Sequence, residues 1–157
     1  MAVPEVCVVY LLRTNPVVEV LIGEKLTGLG KGKLVAPGGK LEPGEMPPEA
    51  AVREVFEEVG VVVRARDLTL VGELTYLFPF KPEWTQKSSA FVVHEWLHEP
   101  LASNELDPAW YPISRLPLER MWSDAKLWLP DALQGETVIA EVEFAEDNAS
   151  VVRFDRS

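Results

Sequence analysis

The sequence predicts an α/β (α+β) fold in a single domain that spans residues 1–157. Three observations support this prediction. The chain has 157 residues, of which 47% are hydrophobic, and this suits one domain with a proper core. Seven segments have the composition of strands, and two have the periodicity of helices. One helical segment follows the second strand, and the other follows the fifth.

The predicted strands are rich in β-branched and aromatic residues and are separated by turn signals. They cover residues 6–12, 17–22, 69–79, 88–98, 109–113, 138–144 and 151–154. The first two flank a turn at Asn15-Pro16. The third and fourth are expected to form an antiparallel hairpin, and the last two a terminal hairpin around Asp147 and Asn148.

Two histidines fall within the fourth predicted strand. His94 and His98 lie four residues apart and share a face with Trp96. A metal site would need a third ligand nearby, and the sequence identifies none. A half-exposed sheet face is therefore the preferred interpretation of this pair.

The first helical segment begins at two prolines and ends before a glycine. Pro47 and Pro48 stand where the first turn of a helix tolerates proline, and Gly60 stands where a left-handed cap would end it. At about 100° per residue, three glutamates share one face and four apolar residues share the opposite one. These are Glu54, Glu57 and Glu58 against Val52, Val55, Phe56 and Val59. The sequence thus predicts three carboxylates on the outer side of a helix whose other side packs on the sheet.

This acidic face is locally unfavourable. The glutamates repel one another, and Glu57 and Glu58 lie near the helix C-terminus, where the macrodipole favours cations. A hard divalent cation such as Mg²⁺ takes oxygen ligands and would relieve the repulsion. A solvated acidic face is the alternative interpretation of the same three residues.

The spacing around this helix matches a known motif. Gly39, five residues, Glu45, seven residues and then the segment REVFEEVGV (residues 53–61) fill every fixed position of the Nudix box. The chain therefore resembles the Nudix hydrolases. The resemblance implies hydrolysis of a nucleoside diphosphate linked to another group, with a divalent metal. It also implies a mixed β-sheet sandwiched between helices, with the box forming a loop, a helix and a loop.

On this resemblance the metal site belongs to the box. Glu57 and Glu58 are expected to be metal ligands, and Glu54 a third ligand or the carboxylate that holds the attacking water. The backbone carbonyl of Gly39, or that of Gly38, is expected to add another oxygen. The cofactor implied is Mg²⁺, with Mn²⁺ as the alternative.

The reaction expected is metal-assisted attack of water on a phosphorus of the pyrophosphate chain, in which the protein mainly positions groups and neutralises charge. Arg53 is expected to orient Glu54 or Glu45 through charge-assisted hydrogen bonds rather than to touch substrate. Glu105 is a candidate for a further ligand or for the base. The sequence does not decide which glutamate acts as the general base.

A glycine-rich segment, KLTGLGKGKLVAPGG (residues 25–39), leads into the box. Glycines let the backbone come close to a ligand, and next to the box this segment is expected to form a wall of the site. Lys25 and Lys40 flank the segment and would meet phosphates as point charges. For either lysine taken alone, a surface role is equally well supported.

The second helical segment covers residues 124–133 and is preceded by Trp122. Together with ELDPAWY (105–111), the segment LPLERMWSDA (116–125) is similar to the oxidised-purine nucleoside triphosphatases of the Nudix family. The similarity implies that Trp122 stacks on the base and that Asp124 hydrogen-bonds to its edge. For Trp122 a position in the core is the alternative, and for Trp128 a position in the core is the preferred interpretation.

Two positions depart from the pattern of that branch. Its base-reading asparagine corresponds to Val35, and its second aspartate corresponds to Ala125. Neither side chain can make the expected hydrogen bonds. Val35 remains a candidate wall of the substrate site, and selectivity for oxidised guanine is left open.

Composition restricts the partners and the compartment. The net charge of −10 argues against polymeric nucleic acid held by a basic surface, so the expected partner is a small nucleotide. The single cysteine, Cys7, excludes an intrachain disulfide and favours a reducing, cytoplasmic setting. No signal peptide or membrane-spanning run is evident. A monomer and a homodimer are both compatible with the sequence.

Three functions compete at this point. The first is a housecleaning nucleoside triphosphate pyrophosphohydrolase that acts on purine nucleotides such as 8-oxo-dGTP and releases the monophosphate and pyrophosphate. The second is a Nudix hydrolase of ADP-ribose, a nucleotide sugar or a dinucleoside polyphosphate. The third is a non-catalytic nucleotide sensor. The pairing of Trp122 with Asp124 favours the first, whereas Val35 and Ala125 leave room for the second.

Overall fold

The computed structural model describes residues 3–157, and its strands form one nine-stranded sheet. The strands are β1 (Glu5–Thr14), β2 (Val18–Lys25), β3 (Leu34–Val35), β4 (Gly38–Lys40), β5 (Thr69–Leu77), β6 (Gln86–Val93), β7 (Leu106–Pro112), β8 (Val138–Phe144) and β9 (Val151–Arg156). The helices are α1 (Pro47–Val59) and α2 (Ala125–Leu133).

The sheet is mixed. Its strand order is β3-β2-β1-β6-β5-β8-β9, with β4 paired to β1 and β7 paired to β2. The pairs β1–β6 and β5–β8 are parallel, and the other named pairs are antiparallel. Both predicted hairpins, β5–β6 and β8–β9, are confirmed.

The two helices cover opposite faces of the sheet. Because side chains alternate along a strand, β1 sends Cys7 and Val9 into the core beneath α1 and sends Tyr10 and Leu12 into the core beneath α2. We call these the α1-side core and the α2-side core. The arrangement confirms the sheet sandwiched between helices that the resemblance implied.

The fourth predicted strand was too long. β6 ends at Val93, so His94 and His98 do not lie on a strand. His98 has a φ of 73°, in the left-handed region, which breaks the extended backbone there. The prediction that these histidines share a sheet face with Trp96 was therefore wrong.

The bounds predicted for the first helix are confirmed, and Val55 and Val59 face the core as predicted. Phe56 and two of the three glutamates do not lie on their predicted sides. Gly60 has a φ of 71° and its N–H donates to Phe56 O at 2.9 Å, which ends α1 in a left-handed cap. Glu54 and Glu58 lie on the buried side of α1, and Phe56 is 57% exposed. Of the three glutamates, only Glu57 is on the outer side.

The reason for this rotation lies in β4. Gly39 has no side chain, and the carboxylate of Glu54 occupies the space above it. A Cβ on Gly39 would come within 2.6 Å of Glu54 Cδ, closer than real Cβ contacts. A Cβ on Gly38 would instead meet the backbone of Cys7 in β1, and the N–H of Gly38 donates to Glu58 Oε1. The buried face of α1 is therefore completed by two carboxylates that contact the β4 glycines, beside the alanines and valines that pack on the sheet.

Within residues 3–157, neither helix is long and apolar enough to cross a membrane.

Candidate active site

Three carboxylates meet where α1 lies over β4. Oxygen atoms of Glu54, Glu58 and Glu105 lie within 4.8 Å of one another. Glu54 and Glu58 are one turn apart on the buried side of α1. Glu105 immediately precedes β7, and its side chain reaches the other two from there. Their grouping brings the predicted box residues together with the predicted residue from the facing loop.

The backbone of β4 holds the two buried carboxylates in place. Gly38 N donates to Glu58 Oε1 at 3.2 Å, and Gly39 lies directly against the carboxylate of Glu54. Burial raises the pKa of Glu58, although the Gly38 N–H opposes this and the charge of Glu54 adds to it. Burial also raises the pKa of Glu54, against the lowering effect of Arg53. A cation would stabilise the ionised form of both groups.

Arg53 is a clamp rather than part of the carboxylate cluster. Its Nε and Nη2 donate to the two oxygens of Glu45 at 2.8 and 2.9 Å, and its Nη1 donates to Glu54 Oε1 at 2.6 Å. Nη2 also donates to the carbonyl of Lys40 at 3.0 Å. The hydrogen bond from Arg53 lowers the pKa of Glu45 to about 2. Arg53 therefore makes the hydrogen bonds to Glu45 and Glu54 that were expected of it, and its part in catalysis stays a prediction.

Glu57 stands at the edge of this arrangement. Its side chain is 51% exposed, and its Oε2 accepts a hydrogen bond from Arg53 Nη1 at 3.3 Å. It is not one of the three glutamates that converge in the structure. Its assignment as a metal ligand stays a prediction.

The donor set suits a hard divalent cation. Carboxylate oxygens are the ligands that Mg²⁺ and Mn²⁺ take, and two of these three carboxylates are buried with a raised pKa. A cation there would relieve the repulsion between Glu54 and Glu58. The residues present therefore fit a divalent metal, without distinguishing one metal from the other.

A cavity of about 520 Å³ extends from β4 to the start of α2. Lys25, Gly39 and Lys40 line one end. Within residues 3–157 the three carboxylates are not part of the lining, but Glu54 and Glu58 lie against the backbone of Gly39 and Gly38 at this end. Trp122 and Asp124 line it at the other end. We call these the carboxylate end and the aromatic end of the cavity. Residues predicted from separate parts of the sequence thus share one cavity.

Trp122 is half-buried at the aromatic end. Its ring lies edge-on to Phe78 and Phe144, with centroid distances of 6.2 and 5.9 Å. Lys33 Nζ lies 5.0 Å from its ring centroid, and Gly30 is so close that an added Cβ would lie 3.0 Å from the indole nitrogen. Trp122 therefore packs against the α2-side core and also lines the cavity.

Asp124 is buried and tightly held. Its Oδ2 accepts hydrogen bonds from the Tyr76 hydroxyl at 3.0 Å and from Trp128 Nε1 at 2.8 Å. Burial raises the pKa of Asp124, while the bonds from Trp128 and Tyr76 lower it. Trp128 is 3% exposed, so its expected position in the core is confirmed. Sequence reasoning missed Tyr76, which lies 48 positions from Asp124 in the chain.

Val35 also lines the cavity, and it packs against the α1-side core. Its neighbours Leu34 and Ala36 pack instead in the α2-side core, which contains Trp128. Ala125 lines the aromatic end and is 5% exposed. Neither Val35 nor Ala125 offers a hydrogen-bonding side chain to the cavity.

Comparison with known proteins decides the family. The sequence profile of the NUDIX domain matches residues 1–132 of the chain. The chain belongs to the Nudix family. It is a Nudix hydrolase, homologous to oxidised purine nucleoside triphosphatases.

Two relatives match this Nudix hydrolase over most of their length. The oxidized purine nucleoside triphosphate hydrolase of Danio rerio is 34% identical over 125 residues, covering 80% of this chain and 78% of its own. The protein of the same name from Mus musculus is 32% identical over 131 residues, covering 82% of this chain and 81% of its own. A mutator MutT protein from Bacillus halodurans has the same fold, with a TM-score of 0.80 and 22% sequence identity. The match covers 99% of this chain and 98% of that protein.

Proposed function

We propose that this Nudix hydrolase cleaves purine nucleoside triphosphates, including oxidised ones such as 8-oxo-dGTP, to the monophosphate and pyrophosphate. One observation carries the proposal. A single cavity of about 520 Å³ joins the aromatic end to the lysines and to the β4 glycines against which Glu54 and Glu58 are held, so one elongated nucleotide would reach from the base-stacking surface to the edge of the acidic cluster. The volume falls within the range of small-molecule sites, roughly 300–1,000 Å³.

At the carboxylate end, Glu54, Glu58 and Glu105 would hold Mg²⁺ or Mn²⁺, with Glu57 and the carbonyl of Gly39 as further ligands. When bound, such a cation would neutralise phosphate charge and polarise the phosphoryl group.

The other residues of this end position groups for the reaction. Arg53 holds the carboxylate of Glu54, which would accept a proton from water if Glu54 is the base. Lys25 and Lys40 line the cavity here and would pair with phosphate oxygens. Pyrophosphate, one of the two expected products of hydrolysis, would be released at this end.

At the aromatic end, Trp122 would stack on the base and Asp124 would accept hydrogen bonds from its edge. Stacking on an aromatic side chain tolerates any base, so the choice of base rests on Asp124 and its surroundings. Two relatives that match over most of their length are named for oxidised purine nucleoside triphosphates, which supports this choice of substrate.

Discrimination between 8-oxo-dGTP and dGTP is expected to be modest. A site built to hydrogen-bond a substrate group rejects analogues that lack the group, whereas an apolar wall discriminates weakly. Ala125 gives the aromatic end an apolar wall, and Val35 lines the cavity but packs towards the α1-side core, so neither supplies a polar contact to the base.

The nucleotide substrate and the single cysteine also favour a cytoplasmic enzyme.

A nucleotide screen tests the proposal. The protein would be incubated with Mg²⁺ and 8-oxo-dGTP, dGTP, dATP or ADP-ribose, and the products would be separated by anion-exchange chromatography. We expect monophosphate and pyrophosphate from the purine triphosphates, with kcat/KM values for 8-oxo-dGTP and dGTP close to each other. Release of inorganic phosphate from triphosphates, or a clear preference for ADP-ribose, would reject the proposed function in favour of another Nudix activity.

A further inference from the structure

The aromatic end contains a second polar group beside Asp124. Tyr76, on β5, lines the cavity together with Asp124. Its hydroxyl donates to Asp124 Oδ2 at 3.0 Å, and Trp128 Nε1 donates to the same oxygen at 2.8 Å. Two side chains from different elements thus converge on one carboxylate oxygen.

These two hydrogen bonds determine which atoms remain for a ligand. An indole N–H can only donate, so Oδ2 of Asp124 must act as an acceptor. The Tyr76 hydroxyl gives its single hydrogen to Oδ2, which leaves the phenolic oxygen with only lone pairs. Oδ1 of Asp124 takes neither of the two bonds. With Asp124 ionised, the state that the hydrogen bonds from Trp128 and Tyr76 favour, the pair offers two acceptors, Asp124 Oδ1 and Tyr76 Oη, and no donor.

Burial makes this pair selective. Asp124 is 3% exposed, and Trp128, which packs behind it, is equally buried. A ligand that fills the cavity without supplying donors would leave buried acceptors unpaired, and this costs more than a hydrogen bond gains. Sites of this kind reject substrates that lack the matching group far more strongly than apolar pockets do.

We propose that Tyr76 is a base-contacting residue that, with Asp124, selects purines presenting two adjacent N–H donors. A guanine-type edge presents N1–H and the 2-amino group side by side, whereas an adenine-type edge presents an acceptor at N1. Tyr76 thus supplies a polar contact to the base that Ala125 lacks. This inference rests on the proposed function and specifies its substrate class.

The inference also separates two kinds of selectivity. The 8-oxo group lies on the imidazole side of the purine, away from N1 and the 2-amino group. Asp124 and Tyr76 would bind the edges of guanine and 8-oxoguanine equally well. Selection of guanine-type over adenine-type bases therefore does not require selection of oxidised over ordinary guanine.

The experiment compares dGTP, dITP and dATP in the wild type and in Tyr76→Phe. dITP keeps N1–H but lacks the 2-amino group, so kcat/KM in the wild type should fall in the order dGTP, dITP, dATP. Tyr76→Phe should lower kcat/KM for dGTP by about five- to tenfold, the scale of one hydrogen bond, through KM rather than kcat. The value for dATP should change less than about twofold.

A matched variant controls for the loss of a buried hydroxyl. Tyr111 lies half-buried on β7, and among residues 3–157 it is not one of those that line the cavity. Tyr111→Phe should therefore leave the ratio of kcat/KM for dGTP to kcat/KM for dATP unchanged. An equal loss on all three substrates in Tyr76→Phe would overturn the inference, because it would indicate a structural role. A wild-type enzyme that uses dATP as well as dGTP would overturn it without any variant.

Failure of the proposed function has a different signature. If the wild type hydrolyses none of the three triphosphates but cleaves ADP-ribose, the proposed function is wrong and the inference falls with it. If it hydrolyses all three triphosphates equally, the proposed function stands and the assignment of Tyr76 and Asp124 is wrong.

Discussion

The carboxylate end of the cavity is built mainly from one short segment, whereas the aromatic end is assembled from distant ones. Glu45, Arg53, Glu54 and Glu58 lie within 14 consecutive residues, and of the three acids that converge in residues 3–157 only Glu105 comes from outside this segment. The aromatic end combines β5, the residues before α2, and α2 itself. Helical spacing arranges the first end, and tertiary packing arranges the second.

The two ends also handle charge differently. At the carboxylate end, buried like charges are left close together and one arginine is shared among several acids. At the aromatic end, the only acid among the hydrogen-bonded groups is Asp124, and two neutral donors stabilise it. The first arrangement favours a cation, and the second favours a neutral, hydrogen-bonding ligand. We expect changes at the first end to affect turnover and changes at the second to affect binding.

The largest effect is expected for Glu58→Gln. A neutral amide is a poor ligand for a hard cation. Even a change to a residue that only hydrogen-bonds to a metal ligand lowers metal affinity or activity by about 10–100-fold. We therefore expect kcat to fall by more than about 100-fold. The metal-free variant should unfold at a temperature no lower than the wild type, because one buried like charge is gone.

Glu57→Gln is the matched control for this variant. Glu57 is the adjacent residue, but half of its side chain is in solvent, so its change should cost less than that of Glu58. Steady-state kinetics over a range of Mg²⁺ concentrations gives both values. Near-normal turnover of Glu58→Gln at saturating Mg²⁺ would contradict its role as a ligand, and an equal loss in Glu57→Gln would contradict the distinction between the two.

An intermediate effect is expected for Trp122→Ala. Loss of base stacking should weaken nucleotide binding by about 1–3 kcal/mol. The change should appear mainly in KM, since stacking acts equally on the ground and transition states. This outcome would separate the aromatic end from the carboxylate end in kinetic terms.

Trp96→Ala provides the comparison for Trp122. Trp96 is half-buried against Trp110, at a centroid distance of 5.9 Å, and does not line the cavity within residues 3–157. It should change stability without a selective change in KM. If Trp122→Ala behaves in the same way, Trp122 is only a core residue.

The smallest effect is expected for Glu45→Gln, in the dependence of stability on pH. The pKa of Glu45 is lowered from 4.5 to about 2 by Arg53. A lowered pKa contributes stability above pH 4.5, and this contribution is lost as the pH falls towards 2. Glu45→Gln should therefore unfold at a lower urea concentration than the wild type at pH 6, with the difference shrinking at pH 3.

Glu42→Gln is the control for Glu45→Gln in these unfolding measurements at different pH values. Glu42 Oε1 lies 3.5 Å from Arg53 Nε, but the side chain is 62% exposed, so it should contribute little. Urea unfolding curves at several pH values measure both variants. A constant difference between Glu45→Gln and the wild type from pH 6 to pH 3 would show that the clamp does not depend on the charge of Glu45.

The sequence predicted the carboxylate end better than the aromatic end, for a physical reason. Local signals such as Pro47 and Gly60 determine where α1 begins and ends, and these bounds are confirmed. The sides predicted for Glu54, Glu58 and Phe56 were wrong because helical periodicity assumes that apolar residues face inwards and charged residues outwards. Glu54 faces inwards because Gly39 leaves room above β4, and Glu58 faces inwards where it accepts a hydrogen bond from Gly38 N. Only the folded sheet reveals these contacts.

At the aromatic end the sequence identified positions but not partners. The similarity singled out Trp122 and Asp124, and both line the cavity. Tyr76 lies in an ordinary strand pattern, and nothing local distinguishes it from a core tyrosine. Its hydrogen bond to Asp124 depends on how β5 lies relative to α2, which no spacing along the chain encodes. The short strands β3 and β4 were missed because glycine-rich segments lack a strand composition.

The position of Cys7 has a consequence for chemical durability. Cys7 stands opposite Gly39 on β1, its side chain packs in the α1-side core, and the residue is 0% exposed. Burial raises the pKa of this thiol to about 11, so that at pH 7 about one molecule in ten thousand carries the thiolate. Peroxides react with the thiolate and hardly at all with the thiol. The oxidising conditions that damage a nucleotide pool would therefore leave the single cysteine of this enzyme intact.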